Sequence, residues 1–230
     1  MAPHRGRASG LFRGLETSVM LDGLRKRARI AAACVAGGCA DYQLARTAIV
    51  THRALQRSFE LMTLARRVRE LRPRVVVEIG THLGGTLFCW SKLAAPDAVL
   101  ISVDLPTGPG ADVFGAFVSG KQKLTCVQAD SNAPETLAEI QGHLQGSSID
   151  FLFIDGDHRY DAVRTDYERY GSLVRRGGLI ALHDIVSDRS RPASEVHRLW
   201  AELAGRGRTE SILDVDSQDG FGMGIGLVWV

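Results

Sequence analysis

Five short runs of apolar, β-branched residues set the strongest limit on what this chain can fold into. They lie at residues 75–79, 99–103, 124–127, 149–154 and 179–182. Apolar runs of this length with little polar alternation suit strands covered on both faces, as in a parallel sheet. The segments between them are long enough for crossover helices, so the pattern reads βαβαβ. It predicts an α/β fold built on a doubly wound, mainly parallel sheet with helices on both faces. Ligands of such a sheet gather at the carboxyl ends of its strands, where the strand order reverses.

The flanking segments add detail. Residues 41–72 carry helical periodicity, with Leu55, Phe59, Met62, Ala65 or Arg66, and Val68 on one face before Pro73 stops the run. Residues 160–176 place Val163, Tyr167, Tyr170, Leu173 and Val174 along one helical stripe, with Gly177-Gly178 as the stop. Near the end, residues 212–215, a turn around Asp219-Gly220 and residues 224–230 read as a hairpin that adds an antiparallel edge. Two regions are expected, a basic and partly helical N-terminal extension over 1–50 and the main domain over 51–230.

Composition narrows the function classes. Apolar residues make up 45% of the chain and charged residues 23%, enough for a real core and ordinary for a globular domain. The longest apolar runs are far short of the roughly 18 residues that cross a bilayer, and residues 1–10 lack the apolar stretch of a signal peptide. Cys34, Cys39, Cys89 and Cys126 have neither paired metal spacing nor the density of a disulfide scaffold, which fits reduced thiols in a cytoplasm. The formal net charge of +2 hides a basic leader: residues 1–30 hold seven Arg or Lys against two acids. With little aromatic content beyond Phe12 and no binding motif, that leader reads as a solvated segment, not a nucleic-acid arm. The leader and the helix after it are also candidates for packing against a second subunit.

The first element with chemistry is Glu78-Ile79-Gly80-Thr81-His82-Leu83-Gly84-Gly85-Thr86, a strand entering a glycine-rich turn and then a helix over 87–93. Glycines there let a ligand approach the backbone and leave helix-start N–H groups free for a carboxylate or phosphate. The spacing is not the Gly-x-Gly-x-x-Gly of a dinucleotide site, and the acid two residues before Gly80 suits a cationic cofactor better. Asp104, ending the second strand, can accept from two ribose hydroxyls.

Glu78, Gly80, Gly84 and Asp104 together resemble the class I methyltransferases that use S-adenosylmethionine, over roughly residues 52–186. The resemblance implies a Rossmann-like fold in which the turn of Gly80, Thr81, Gly84 and Gly85 lines the methionine portion of the donor. It further implies that Thr86 meets the donor carboxylate, Glu78 helps position its amino end and Asp104 holds the ribose. Asp130 and Ser131, after the third strand, fall where the family contacts adenine.

The fourth strand closes on Asp155-Gly156-Asp157-His158 and the fifth on His183-Asp184. If the two strands are neighbours, about 4.8 Å apart, their end side chains can converge on one cation, with Asp155 and Asp184 as hard oxygen ligands. Unpaired buried carboxylates are costly, so apolar strands with acidic tips are a poor recipe for packing alone. This arrangement is similar to the metal-dependent small-molecule O-methyltransferases, in the branch of the macrolide-sugar and cephalosporin-biosynthesis enzymes. In that branch the D-x-x-H sequence supplies a metal ligand, here Asp155, which also borders the cofactor, and a catalytic histidine, here His158. An oxygen-donor pair after the fifth strand completes the metal site. Here the pair is His183-Asp184, and its imidazole moves preference from magnesium toward manganese, iron or zinc, unless His183 only supports the ligands.

The expected reaction is transfer of a methyl group from a sulfonium to a hydroxyl of a small molecule, such as a natural-product sugar. A divalent ion would lower the hydroxyl pKa, and His158 would accept the proton. Two other classes stay open: an S-adenosylmethionine-binding partner or sensor without activity, and a nicotinamide-dependent oxidoreductase, which the glycine spacing disfavours. The resemblance implies that residues 1–50 and roughly 105–123 or 186–195 read the acceptor, and Pro106, Gly108, Pro109 and Gly110 mark the middle segment as a loop suited to a lid. His82 is expected in solvent. Tyr160 and Arg164 lack the lysine of a dehydrogenase pair, and Trp90 and Trp200 are expected to pack on helices.

Overall fold

The computed structural model describes residues 39–187, 190–214 and 223–230. All five expected strands form: Val75–Ile79 (β1), Val99–Asp104 (β2), Lys123–Gln128 (β3), Ile149–Ile154 (β4) and Val174–His183 (β5). Arg208–Ile212 (β6) and Ile225–Trp229 (β7) complete one sheet in the order β3-β2-β1-β4-β5-β7-β6. The first five strands are parallel, whereas β7 runs antiparallel to both β5 and β6. Strand order reverses between β1 and β4, so the carboxyl ends of these two strands open the crevice where a ligand belongs.

The helices are Cys39–Val50 (α1), Ser58–Leu71 (α2), Gly85–Leu93 (α3), Ala111–Phe114 (α4), Pro134–Leu144 (α5), Tyr160–Gly171 (α6) and Val196–Leu203 (α7). Alternate residues of each strand point to opposite faces. Val77, Ile79, Ile101, Leu152, Ile154, Ile180 and Leu182 share one core with Ile140 of α5, Val163 and Tyr170 of α6, and Leu199 and Trp200 of α7. On the other face Phe151 and Phe153 meet Trp90 of α3 edge to face, at ring-centroid distances of 5.0 and 5.3 Å. The two tryptophans thus pack as expected: Trp200 covers Gly226 of β7, where a Cβ would come within 2.4 Å of its ring.

Four expectations about element bounds are corrected. The helix expected over 41–72 is two helices, and Leu55, placed on its apolar face, is 62% exposed in the break between them. Arg53 takes a left-handed φ of 60°, and the backbone of Ala54 then lies so close to Gly85 that a Cβ on that glycine would meet Ala54 N at 2.3 Å. Helix α6 stops at Gly171, not Arg176, and β5 begins at Val174. Gly177 and Gly178 form a bulge inside that strand: the partner of Ile149 is Val174 and that of Phe151 is Leu179. The first arm of the terminal hairpin lies at Arg208–Ile212 instead of 212–215, with the expected turn at Asp219-Gly220 outside the described residues. The segment over 105–123 is not all loop, since it holds α4 and a 3-10 turn, Gly115–Phe117, whose Phe114 and Phe117 are buried beside Gly84. Most of the expected N-terminal extension, residues 1–38, also lies outside the described residues.

Candidate active site

A cavity of about 680 Å³ opens at the carboxyl ends of β1, β2, β3 and β4. Its walls include Gly80, His82, Asp104, Asp130, Ser131, Asp155 and Asp157. Gly80 has a φ of +84°, and a Cβ there would sit 2.0 Å from the carbonyl oxygen of Asp155. Only glycine meets both demands. The Gly80 N–H donates to Val103 O at 2.9 Å and the Asp155 N–H to Ile79 O at 2.8 Å, which ties the turn to β2 and the tip of β4 to β1.

Glu78, Thr81, Gly84, Gly85 and Thr86 do not form part of this wall. Glu78 is fully buried beneath the turn, where Trp90 Nε1 donates to its Oε1 at 3.0 Å. Burial pushes its pKa up to about 8, against the opposing hydrogen bonds of Thr86, Trp90 and Thr81. The Thr81 hydroxyl pairs with Ser102 Oγ at 2.7 Å. Gly84, at a φ of +82°, caps α3. These residues shape and support the turn from behind.

Asp104 receives the His82 N–H on Oδ2 and the Leu105 N–H on Oδ1, so the end of β2 holds the glycine turn in place. His82 is exposed, as expected, and also borders the cavity at a left-handed φ of 50°. Asp130 accepts the Asn132 N–H at 2.9 Å, while Asn132 Nδ2 donates to Asp166 and Tyr170 OH to Ser131 O. Burial raises the Asp166 pKa to about 7. Tyr160 and Arg164 engage Glu202 and Glu168 away from the cavity.

At the adjoining tips of β4 and β5, donor atoms of Asp155, His158 and Asp184 all lie within 4.8 Å of one another. The His158 ring stands between the carboxylates, with Nε2 3.3 Å from Asp155 Oδ1 and Nδ1 3.5 Å from Asp184 Oδ2. The hydrogen bond to Asp155 raises the His158 pKa against burial. His183, expected among the ligands, turns its Nδ1 to Asp155 Oδ1 at 3.0 Å and to Asp184 Oδ1 at 3.7 Å, and its buried Nε2 has no hydrogen-bond partner among the described residues. Both imidazoles thus stand against both carboxylates, His158 on one side and His183 on the other. Burial lowers the His183 pKa, but the Asp155 charge and hydrogen bond outweigh it and carry the value to about 9. Burial likewise opposes ionisation of Asp155, yet the charge of His183 and the bonds from both imidazoles hold its carboxyl well below the usual range.

Two participants carry no signal in the sequence. Gln56, in the break between α1 and α2, donates to Asp155 Oδ2 at 2.7 Å from 99 residues away. Arg191 donates to both oxygens of Asp184.

Residues 77–185 match a family described as "Methyltransferase domain". An uncharacterized protein of Sinorhizobium fredii (strain NBRC 101917 / NGR234), y4gI, is 29% identical over 165 residues. The match covers 68% of this chain but spans only 17% of that relative's length. Among solved structures, an O-methyltransferase from Bacillus cereus in complex with S-adenosylhomocysteine superposes with a TM-score of 0.58 at 17% identity, covering 83% of this chain and 89% of that one. MycE methyltransferase of the mycinamycin biosynthetic pathway, in complex with magnesium and S-adenosylhomocysteine, gives 0.59 at 19% identity, covering 82% of this chain and 54% of that one. At these identities the likeness is one of fold. Strand order, glycine turn and the match over 77–185 agree, and the chain has the α/β, Rossmann-like fold of the methyltransferases it resembles.

Proposed function

We propose that this protein transfers a methyl group from S-adenosylmethionine to a hydroxyl of a small molecule, with assistance from a divalent cation. The acceptor class we favour is a hydroxylated natural product such as a sugar. We assign the catalytic domain to residues 51–230, with 1–50 as an extension, and place the protein in the cytoplasm. The observation that carries the reading is the adjacency of two sites through one residue. Asp155 lines the cavity beside the glycine turn and also belongs to the group with His158 and Asp184.

The donor fits the cavity's chemistry. Gly80 keeps the wall low enough for a ligand to lie against the backbone, Asp104 offers carboxylate oxygens at the ribose position, and Asp130 and Ser131 offer polar edges to a base. The donor sulfonium is cationic, and acidic side chains around the cavity favour its charge. That charge vanishes as the methyl carbon moves to oxygen, so the harder task is removal of the acceptor's proton.

The donor set also fits a hard cation: two carboxylates meet a third donor within 4.8 Å. Asp155 and Asp184 would hold the ion, which when bound supplies Lewis acidity toward acceptor oxygens. His158, beside both carboxylates, takes the proton of the acceptor hydroxyl. Its ring is 30% exposed, and its chain neighbours Asp155 and Asp157 line the cavity. Gln56 and His183 fix the Asp155 carboxylate from behind, so its orientation does not depend on the ligand. Holding donor and acceptor in line supplies much of the remaining acceleration.

Calorimetry with S-adenosylmethionine and with NAD tests the donor, and methyl transfer to a panel of hydroxylated small molecules, with and without magnesium, tests the reaction. Binding of the methyl donor and magnesium-stimulated transfer to oxygen are expected. Binding of NAD with no response to the methyl donor would overturn the reading.

A further inference from the structure

A guanidinium grips Asp184. Arg191 Nη1 donates to its Oδ2 at 2.9 Å and Nη2 to its Oδ1 at 3.0 Å, a two-pronged pairing that occupies both oxygens. The carboxylate is 1% exposed, and its residue has a φ of 61°, in the left-handed region uncommon for non-glycine residues. The same carboxylate is one of the three donors grouped with Asp155 and His158. A divalent ion at that group would have to share Asp184 with a fixed positive charge already on it.

We propose that the Arg191 guanidinium and a divalent cation are alternative occupants of Asp184, so that Arg191 sets how tightly the site takes its ion. The inference rests on the metal reading above. The asymmetry of the pair makes the exchange feasible. Arg191 is 41% exposed, so its displaced head passes into water, whereas Asp184 is buried, with the His158 and His183 imidazoles at 3.5 and 3.7 Å as further basic neighbours, so loss of the guanidinium favours a replacement charge. Arg191 therefore leaves when a replacement charge arrives. Asp155 differs, because Gln56, His158 and His183 hold it and none of them is a guanidinium. The exchange is local to Asp184.

The test measures Mn²⁺ binding to the full chain, by calorimetry and by the electron paramagnetic resonance of free Mn²⁺. Wild type is compared with Arg191→Ala, Arg191→Lys, Asp184→Asn and the Arg191→Ala/Asp184→Asn double variant, with S-adenosylhomocysteine affinity as the check on folding. The Kd for Mn²⁺ is expected to tighten by about tenfold in Arg191→Ala, the scale at which groups around a metal site alter its affinity. Arg191→Lys is expected to fall between the two, since an ammonium cannot form the fork, and this variant carries the comparison if the alanine one fails to fold. The double variant is expected to lose the gain. An unchanged or weaker Kd in the folded Arg191 variants, with binding still lost in Asp184→Asn, overturns the exchange and leaves the metal reading standing. Absence of Mn²⁺ binding in every protein, at preserved S-adenosylhomocysteine affinity, overturns both.

Discussion

Glu78 and His158 mark two different uses of an ionisable side chain. The Glu78 pKa is raised by burial from 4.5 to about 8. Between these values the folded chain keeps a proton that the unfolded chain has lost, so stability falls as pH rises through that window. Glu78→Gln removes the slope. In the ligand-free protein the variant should melt higher than wild type from about pH 5 upward, with the gap widening to about pH 8. Thermal melts across that range check it, and each kcal/mol moves Tm by about 2–4 °C in a chain of this size. In the proposed reaction His158 works by contact instead. His158→Ala should leave S-adenosylmethionine affinity within about twofold and lower kcat by about 10²–10⁴, the usual span for a lost general base. Calorimetry paired with single-turnover kinetics separates the two effects, and unchanged turnover would remove His158 from the mechanism.

Between elements, Asp150 at the start of β4 does much of the fastening. Its Oδ2 accepts the backbone N–H of Arg74 at 2.7 Å and of Val75 at 2.9 Å, and Arg175 donates to its Oδ1. One carboxylate thus joins the beginnings of β1, β4 and β5. Asp150→Ala strands two N–H donors and a guanidinium and should cost about 2–3 kcal/mol, read from urea unfolding. Burial would raise the Asp150 pKa, but Arg175 and the two N–H groups hold it below 3.8. Its contribution is therefore full above pH 4 and is lost as pH falls through the lowered folded value, and the variant should flatten the acid limb of the stability curve. The strands were legible because uninterrupted apolar runs have few other homes than a sheet covered on both faces. The breaks were not. Leu55 continues the apolar period of α2 yet stays outside it, because the tertiary contact of Ala54 with Gly85 decides where the helix starts. Gly177-Gly178 reads as a helix stop, and only the pairing of Val174 with Ile149 shows it to be a bulge.

For the molecule as a whole, the acid and imidazole groups at the strand tips were legible, since a strand delivers its last residues to a known end of the sheet. Gln56 and Arg191 were not, because each reaches the tips from an irregular segment that has no period to betray it. The donor cavity also links function to stability. Ligand that binds only the folded chain adds about 2.7 kcal/mol at 100 times its Kd. S-adenosylhomocysteine should accordingly raise Tm in a dose-dependent way, while NAD at the same concentrations should not, and differential scanning fluorimetry distinguishes the two.

The contact between Gly80 and the Asp155 carbonyl also tells a protein engineer where diversity is affordable. Even alanine at position 80 would collide with the backbone that carries the Asp155 carboxylate. Leu83 and Leu105, in contrast, border the cavity with 43% and 53% of their surface in water. A mutant library aimed at the cavity should hold position 80 constant and randomise those two leucines, where bulk can change without any shift of the scaffold.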